Sequence, residues 1–180
     1  MSKPDIIKIA ILAVGGQGGG VLTGWIVTLA EANGWRVQST AVAGGAQRTG
    51  ATIYYLEMCP MGPRTPVMAL APASGDVDIL IAAELMEAGR AVLRGFVTPD
   101  RTTLIASTHR IHAVSEKVVP GDGQAPEDRV FAAMERSAKH VIAEDFQRIA
   151  VQAGSVISAS LFGALARAEV LPFPRQSYVD

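Results

Sequence analysis

The sequence predicts an α/β protein, a three-layer Rossmann-like sandwich built on a mostly parallel sheet. Apolar runs rich in isoleucine and valine alternate with stretches of helical periodicity, as in parallel sheets covered by helices. The first run stops abruptly in glycine, which is typical of a strand that turns tightly into a helix. Charged residues make up 18% of the chain, below the roughly 25% of an average soluble domain, and this is expected of a sheet buried on both faces.

The low charge has a second explanation, compatible with the first: the chain is a subunit that hides surface against partner chains. A length of 180 residues predicts a single domain over residues 1–180, and related chains are expected to continue past Asp180.

The net charge of −1 makes no case for a nucleic-acid or membrane partner. Cys59 is the single cysteine, which excludes an internal disulfide. We expect a cytoplasmic protein without a membrane span.

Three strands and one helix are expected in the first part of the chain. Ile6–Val14 is almost entirely apolar and is predicted to be a central strand. Gly20–Asn33 carries one apolar stripe and is predicted to be a helix that ends at an Asn-Gly stop signal. Arg36–Val42 and Thr52–Met58 follow as strands, and a proline-containing loop region comes after them.

The rest of the chain continues the alternation of strands and helices. Its best-signalled helix begins at Pro126, because proline suits the first helical position and acidic residues follow in the first turn. The predicted strands are Asp76–Ala83, Thr102–Ser107 and Val141–Ala143, and the predicted helices are Glu84–Leu93, Pro126–Lys139, Asp145–Ala150 and Ser155–Ala168.

Two glycine-rich segments follow the first two strands and are the candidate binding loops. They are Gly15-Gly16-Gln17-Gly18-Gly19-Gly20 and Gly44-Gly45-Ala46-Gln47-Arg48-Thr49-Gly50. A strand that turns through glycine into a helix aims backbone N–H groups at whatever lies beyond the sheet edge. The dinucleotide fingerprint is incomplete, because Val21 takes the place of its third glycine and no acidic residue ends the second strand. A ligand-free turn, a different phosphate group and the backbone of a partner remain as alternatives.

Single side chains add two candidates. Arg48 could hold a phosphate or carboxylate through its planar guanidinium, or be a solvated loop arginine or the partner of a carboxylate. His109 follows a predicted strand and is a candidate to face a ligand.

The three histidines have no metal-ligand spacing with cysteine or carboxylates, so no metal site is expected. Gly121-Asp122-Gly123 is similar to the start of a thiamine diphosphate signature, but no asparagine follows it, which favours a simple turn.

The paired motifs Val14-Gly15-Gly16-Gln17-Gly18 and Gly45-Ala46-Gln47-Arg48-Thr49-Gly50 resemble a known family. It is the gamma-type domain of 2-oxoacid:ferredoxin (acceptor) oxidoreductases, in particular the small (beta) subunit of indolepyruvate:ferredoxin oxidoreductase. Asp78–Ala88 and Ser155–Leu165 are similar to further segments of that family.

The resemblance implies a subunit that has no catalytic residue of its own and is not active alone. Thiamine diphosphate, Mg and iron–sulfur clusters are then expected in a large catalytic partner chain, with ferredoxin or a similar protein as electron acceptor and CoA as a further ligand. The substrate implied is indolepyruvate or another aryl pyruvate. The domain would pack on the catalytic chain and shape its substrate or CoA entrance, with residues Gly16–Gly20, Gln47 and Arg48 facing the partner. The alternative is a stand-alone module that binds a nucleotide or flavin in its first glycine loop.

Overall fold

A computed structural model describes residues 6–43, 51–63, 66–111 and 127–179. In these residues one six-stranded sheet has the order β2-β3-β1-β4-β5-β6. The strands are β1 (Ile7–Val14), β2 (Trp35–Ala43), β3 (Ala51–Pro60), β4 (Ile79–Ala82), β5 (Thr103–Ser107) and β6 (His140–Glu144). The helices are α1 (Gly19–Ala32), α2 (Leu85–Leu93), α3 (Glu127–Ser137), α4 (Phe146–Gln152) and α5 (Ile157–Ala168), with a 3₁₀ turn at Arg175–Tyr178.

The prediction of a mostly parallel sheet is confirmed, with β3 as the exception. Strands β1, β4, β5 and β6 are paired in parallel, whereas β3 is antiparallel to both β1 and β2. The physical reason is the short connection from β2 to β3, since a parallel crossover needs a dozen or more residues. As a result β1 and β2 point the same way and end at one edge, where Val14 is opposite Ala51 and Ala43 is opposite Thr52.

Helices cover both faces of the sheet, which confirms the three-layer prediction. Side chains of β1 alternate between two cores: Ile9 and Ile11 face the layer of α1, α4 and α5, and Ala10 and Leu12 face the layer of α2 and α3. This is the period-two pattern of a strand buried on both sides. Within the described ranges no single helix is long and apolar enough to cross a membrane, and α4 with α5 has that length and composition only as a pair bent by 112°.

The strand predicted over Asp76–Ala83 is shorter in the structure and spans Ile79–Ala82. Asp78 precedes the strand: its side chain accepts hydrogen bonds from Lys8 N–H at 2.8 Å and from Arg101 Nε at 2.6 Å, while its backbone still bonds to Lys8 C=O and Thr103 N–H. Asp76 is also an ion-pair partner of Lys8 and Arg101. This acidic pair lies at the amino end of the parallel strands, opposite the edge with the glycine loop.

Several helix boundaries also differ from the sequence prediction by one or two residues, and two of them have a visible local cause. α3 ends at Ser137, because Lys139 N–H donates to Thr102 C=O at 2.9 Å and joins the chain to the sheet. α5 begins at Ile157, two residues later than predicted, after Val156 in an extended conformation. The stop predicted after α1 is confirmed, with Asn33 as the C-cap and Gly34 at a φ of 75°.

Candidate functional site at the carboxyl edge of the sheet

The first glycine loop leaves β1 at the carboxyl edge and begins α1. Gly15 and Gly16 are exposed, and Gly16 has a φ of 88°. Gly18 is the N-cap of α1 with a φ of 69°, and no side chain in the described ranges caps this helix. A positive φ favours glycine at both positions because L side chains rarely adopt it. The loop therefore presents backbone at the edge where the sequence predicted a binding site.

Close packing, and not a ligand, explains why residue 19 is a glycine. A Cβ built on Gly19 would be 2.5 Å from Tyr54 Cε2 and 2.9 Å from Ala13 Cβ. A Cβ on Gly18 would be 3.0 Å from Ser158 Oγ. The absence of side chains lets α1 lie directly against β3 and α5.

Gln17 points inward and locks the loop. Its side chain is 7% exposed. Val14 N–H donates to Gln17 Oε1 at 2.8 Å, and Gln17 Nε2 donates to Ala83 C=O at 3.1 Å. One side chain thus ties together the end of β1, the loop and the end of β4. The prediction that Gln17 faces a ligand or partner remains untested, but these bonds provide an internal reason for a glutamine here.

His109 joins the same network from the end of β5. Its Nε2 lies 3.2 Å from Gln17 Nε2, and its Nδ1 lies 2.7 Å from Ser107 Oγ. Ser107 Oγ also accepts the N–H of Phe146 at 3.1 Å, which ties β5 to α4. Burial lowers the pKa of His109 below its usual value, although Asp145 acts in the opposite direction. The imidazole is therefore held in its neutral form.

A cavity of about 380 Å³ opens between the loop and His109. It is lined by Gly15, Gly16, Gln17, His109, Ile111, Gln147 and Ile157. These described lining residues provide backbone, amide, imidazole and aliphatic surface without a carboxylate, ammonium or guanidinium group. The structure therefore brings the first glycine loop and His109 to one cavity, as expected for residues that follow parallel strands ending at the same edge of a sheet, here β1 and β5 on either side of β4.

Sequence reasoning did not place Ser107 or Glu84 among the candidate site residues, and Glu84 entered it only within the family-like segment Asp78–Ala88. Glu84 ends the β4 segment, is 2% exposed and caps α2 by accepting Glu87 N–H at 2.9 Å. Burial raises the pKa of Glu84, and its Oε2 has no hydrogen-bond partner among the described residues. The signal in the sequence was a polar residue at the N-cap position, followed three residues later by a second glutamate, as in a capping box.

Part of the predicted site lies outside the described residues. These positions are Gly45, Gln47, Arg48 and Thr49, together with the Gly121-Asp122-Gly123 turn. Over the four described ranges, no group of three His, Cys, Asp or Glu side chains could hold a metal ion. Cys59 is buried in β3. The described part thus lacks a ligand set suited to magnesium or an iron–sulfur cluster.

Similarity to known proteins extends over nearly the whole chain. A family profile described as pyruvate ferredoxin/flavodoxin oxidoreductase matches residues 8–180. Indolepyruvate oxidoreductase subunit IorB of Archaeoglobus fulgidus is 28% identical over 156 residues, which is 86% of this chain and 72% of that protein.

Solved structures share the fold at low sequence identity. Pyruvate oxidoreductase subunit PORC of Thermotoga maritima has a TM-score of 0.62 and 15% identity, over 98% of this chain and 90% of that one. The gamma subunit of a keto/oxoacid ferredoxin oxidoreductase from Geobacter sulfurreducens has a TM-score of 0.59 and 12% identity, over 96% and 82%. The 2-oxoglutarate:ferredoxin oxidoreductase of Magnetococcus marinus has a TM-score of 0.57 and 14% identity, over 99% of this chain and 26% of that chain.

Proposed function

This chain belongs to the pyruvate ferredoxin/flavodoxin oxidoreductase family, and we propose that it is the small, cofactor-free subunit of a cytoplasmic oxidoreductase that acts on indolepyruvate or another aryl pyruvate. The family profile over residues 8–180 carries the oxidoreductase part of the proposal. The similarity to an indolepyruvate oxidoreductase subunit supports the choice of substrate. In this proposal thiamine diphosphate, Mg and iron–sulfur clusters belong to the large partner chain, which passes electrons to ferredoxin.

The subunit's part in the reaction is to cover and shape the entrance of the catalytic chain for substrate or CoA. The exposed backbone of Gly15 and Gly16, just before the N-terminus of α1, supports this, since the N–H groups at a helix N-terminus favour an anionic group such as a carboxylate or diphosphate. Arg48, in the second glycine-rich segment of the sequence, would add a second anion-binding group.

Apolar side chains beside the glycine loop support contact with a partner. Val21 and Trp25 follow the loop on α1 and are 50% and 37% exposed, and Val156 before α5 is 59% exposed. Trp25 packs on Phe162 of α5 with a ring-centroid distance of 5.8 Å, so the two helices form one continuous surface. Aromatic and aliphatic groups of this kind are typical of the buried centre of subunit interfaces.

A stand-alone module that binds a nucleotide or flavin in the first glycine loop is the alternative. The αL glycines and the uncapped helix support it. Two contacts favour the subunit instead: the Gln17 amide already occupies the inner side of the loop, and Tyr54 covers Gly19.

The first experiment is to purify the tagged chain from its native host and identify what accompanies it. The visible spectrum is recorded and thiamine is assayed in the same sample. A large partner with iron–sulfur absorbance and bound thiamine is the expected result, followed by activity with indolepyruvate above that with pyruvate or 2-oxoglutarate. A solitary, colourless chain that binds a nucleotide or flavin at micromolar concentration would establish the alternative.

A pair of matched variants tests the docking surface in the same complex. Val21→Glu places a charge beside the glycine loop and is expected to reduce recovery of the partner at least tenfold, because an unpaired charge is costly to bury. Leu93→Glu is the control, since Leu93 is 89% exposed at the end of α2 on the opposite layer. Equal recovery with both variants would contradict docking through α1.

A further inference from the structure

Two backbone groups determine which way the Gln17 amide faces. Val14 N–H can only donate, so it must meet the amide oxygen, at 2.8 Å. Ala83 C=O can only accept, so it must meet the amide nitrogen, at 3.1 Å. Reversal of the amide would oppose donor to donor at Val14 and acceptor to acceptor at Ala83. The second hydrogen of Gln17 Nε2 is therefore directed at His109 Nε2, 3.2 Å away.

The orientation of Gln17 fixes the tautomer of His109. A neutral imidazole has one N–H and one acceptor nitrogen. Since Nε2 of His109 receives a hydrogen from Gln17, its proton must be on Nδ1, which donates to Ser107 Oγ at 2.7 Å. Ser107 Oγ can accept this hydrogen together with that of Phe146 N–H, because a hydroxyl oxygen has two lone pairs.

From this geometry we propose that neutral His109 acts as a positioning residue that holds the Gly15–Gly18 loop in place through Gln17, and that uptake of one proton at Nε2 of His109 releases the loop. The structure thus contains a pH-sensitive latch on its first glycine loop. The latch is a property of this chain and does not depend on the proposed oxidoreductase activity.

Protonation leaves the network without a satisfied arrangement. The new Nε2–H of His109 would face the N–H of Gln17, donor against donor. Rotation of the Gln17 amide would satisfy the imidazolium but would lose the bonds to both Val14 and Ala83. One unfavourable contact would be exchanged for two, so movement of the loop away from His109 is the outcome that the proposal predicts. The cavity between Gly16 and His109 would then change shape, because both residues line it.

The charged groups around His109 raise or lower its pKa, or are bonded elsewhere. Asp145, the N-cap of α4, favours the protonated imidazole, but burial outweighs it and lowers the pKa of His109. Glu84 precedes Leu85, whose N–H donates to the His109 carbonyl, and the carboxyl of Glu84 is bonded to the first turn of α2. Arg110 is an ion-pair partner of Glu127. The neutral form is thus the resting form near pH 7.

Nitrogen-15 NMR of the full chain tests the resting state directly. Long-range ¹H–¹⁵N couplings of His109 report which ring nitrogen carries the proton. The Nδ1–H tautomer is expected at pH 7.5, with Nε2 unprotonated. An Nε2–H tautomer or an imidazolium at that pH would overturn the proposal, whatever any variant does.

A titration then tests the release. As the pH is lowered from 7.5, the amide signals of Val14 and residues 15–18 should shift together with the His109 ring, with one common midpoint below the ordinary pKa of a histidine. His109→Gln places a non-titrating acceptor near the position of Nε2 and should abolish that common transition. His140→Gln, at an exposed position in β6, is the matched control and should retain it. Persistence of the transition in His109→Gln would overturn the latch.

The Gln17→Glu variant provides an opposite-sign test. The carboxylate still accepts Val14 N–H but now attracts a proton on His109, because an opposite charge at hydrogen-bond distance favours the ionised imidazole. The midpoint of the His109 ring should rise above about 6.5. A midpoint unchanged from the wild type would show that Gln17 does not control His109.

Discussion

The ring of Tyr54 in β3 lies directly on the backbone of Gly19 at the start of α1. The contact is so close that a Cβ at residue 19 would be 2.5 Å from Tyr54 Cε2. The methyl of Ala13 closes the same space from β1. The glycine at this position thus sets the distance between α1 and the sheet, and so places the loop that precedes it.

Gly19→Ala should therefore destabilise the protein by about 1–3 kcal/mol, as for overpacking of a well-packed core. Chemical denaturation gives the free energy of unfolding. Gly24→Ala is the matched control in the same helix, where an added Cβ meets nothing within 4 Å. It should raise stability by roughly 0.5–1 kcal/mol, the helix-propensity gain of alanine over glycine. Equal effects of the two substitutions would argue against the Tyr54 contact.

Gln17→Leu should remove the lock on the loop at nearly constant volume. It leaves Val14 N–H and Ala83 C=O without their partner, and a buried unsatisfied polar group costs about 1–3 kcal/mol. Denaturant unfolding measures the loss. Gln152→Leu, at the exposed end of α4, should change stability by less than about 0.5 kcal/mol. A neutral Gln17→Leu would mean that the loop does not need this side chain.

Glu84 should make stability fall as the pH rises. Burial raises the pKa of Glu84 in the folded state, so the folded protein holds this proton more tightly than the unfolded chain does. Stability is therefore complete below the unfolded pKa of about 4.3 and declines until the folded pKa is reached, by about 1.4 kcal/mol per unit of the shift. Glu84→Gln should lack this decline, and Glu135→Gln, exposed on α3, should keep it. Parallel pH profiles for wild type and Glu84→Gln would contradict the effect.

Asp76, unlike Glu84, should make the stability of the protein fall as the pH is lowered. The hydrogen bond from Lys8 lowers the pKa of Asp76, with Arg101 adding to the effect. Its contribution to stability is complete above the unfolded pKa of about 3.9 and disappears as the pH falls through the lower folded value. Asp76→Asn should cost at most about 1 kcal/mol at pH 7, because the pair is partly exposed and solvent-screened. The difference should shrink as the pH falls below the unfolded pKa; a difference that stays constant with pH would exclude the ionic origin.

Arg48→Ala tests the second glycine loop in the assembled enzyme. If its guanidinium holds an anionic group at the entrance, the variant should raise KM or lower kcat about 10-fold or more, since a charge-assisted hydrogen bond is worth roughly 1.5–3 kcal/mol. Steady-state kinetics on the purified complex measure this. Arg129→Ala, exposed on α3, should leave the kinetics unchanged. Normal kinetics of Arg48→Ala in an intact complex would rule out the role.

Much of the fold could be predicted because its signals are local. The apolar run at Ile6–Val14 became β1 at Ile7–Val14, and the Asn33-Gly34 stop ended α1 as expected. Strand and helix periodicity, glycine turns and helix stop signals act over a few residues, so a single sequence displays them. The sheet edge that carries the cavity could also be predicted, because residues that follow parallel strands collect at one end of a sheet.

The sequence by itself thus determined the α/β class, the layers and the loop that opens the site. Only the tertiary structure decided that β3 lies between β2 and β1, that Asp76 and Asp78 lie outside the strand predicted over them, and that Gln17 meets His109 across 92 residues of chain. Such contacts depend on the order in which distant strands pair. That order is set by the packing energy of the whole chain, and no local periodicity records it.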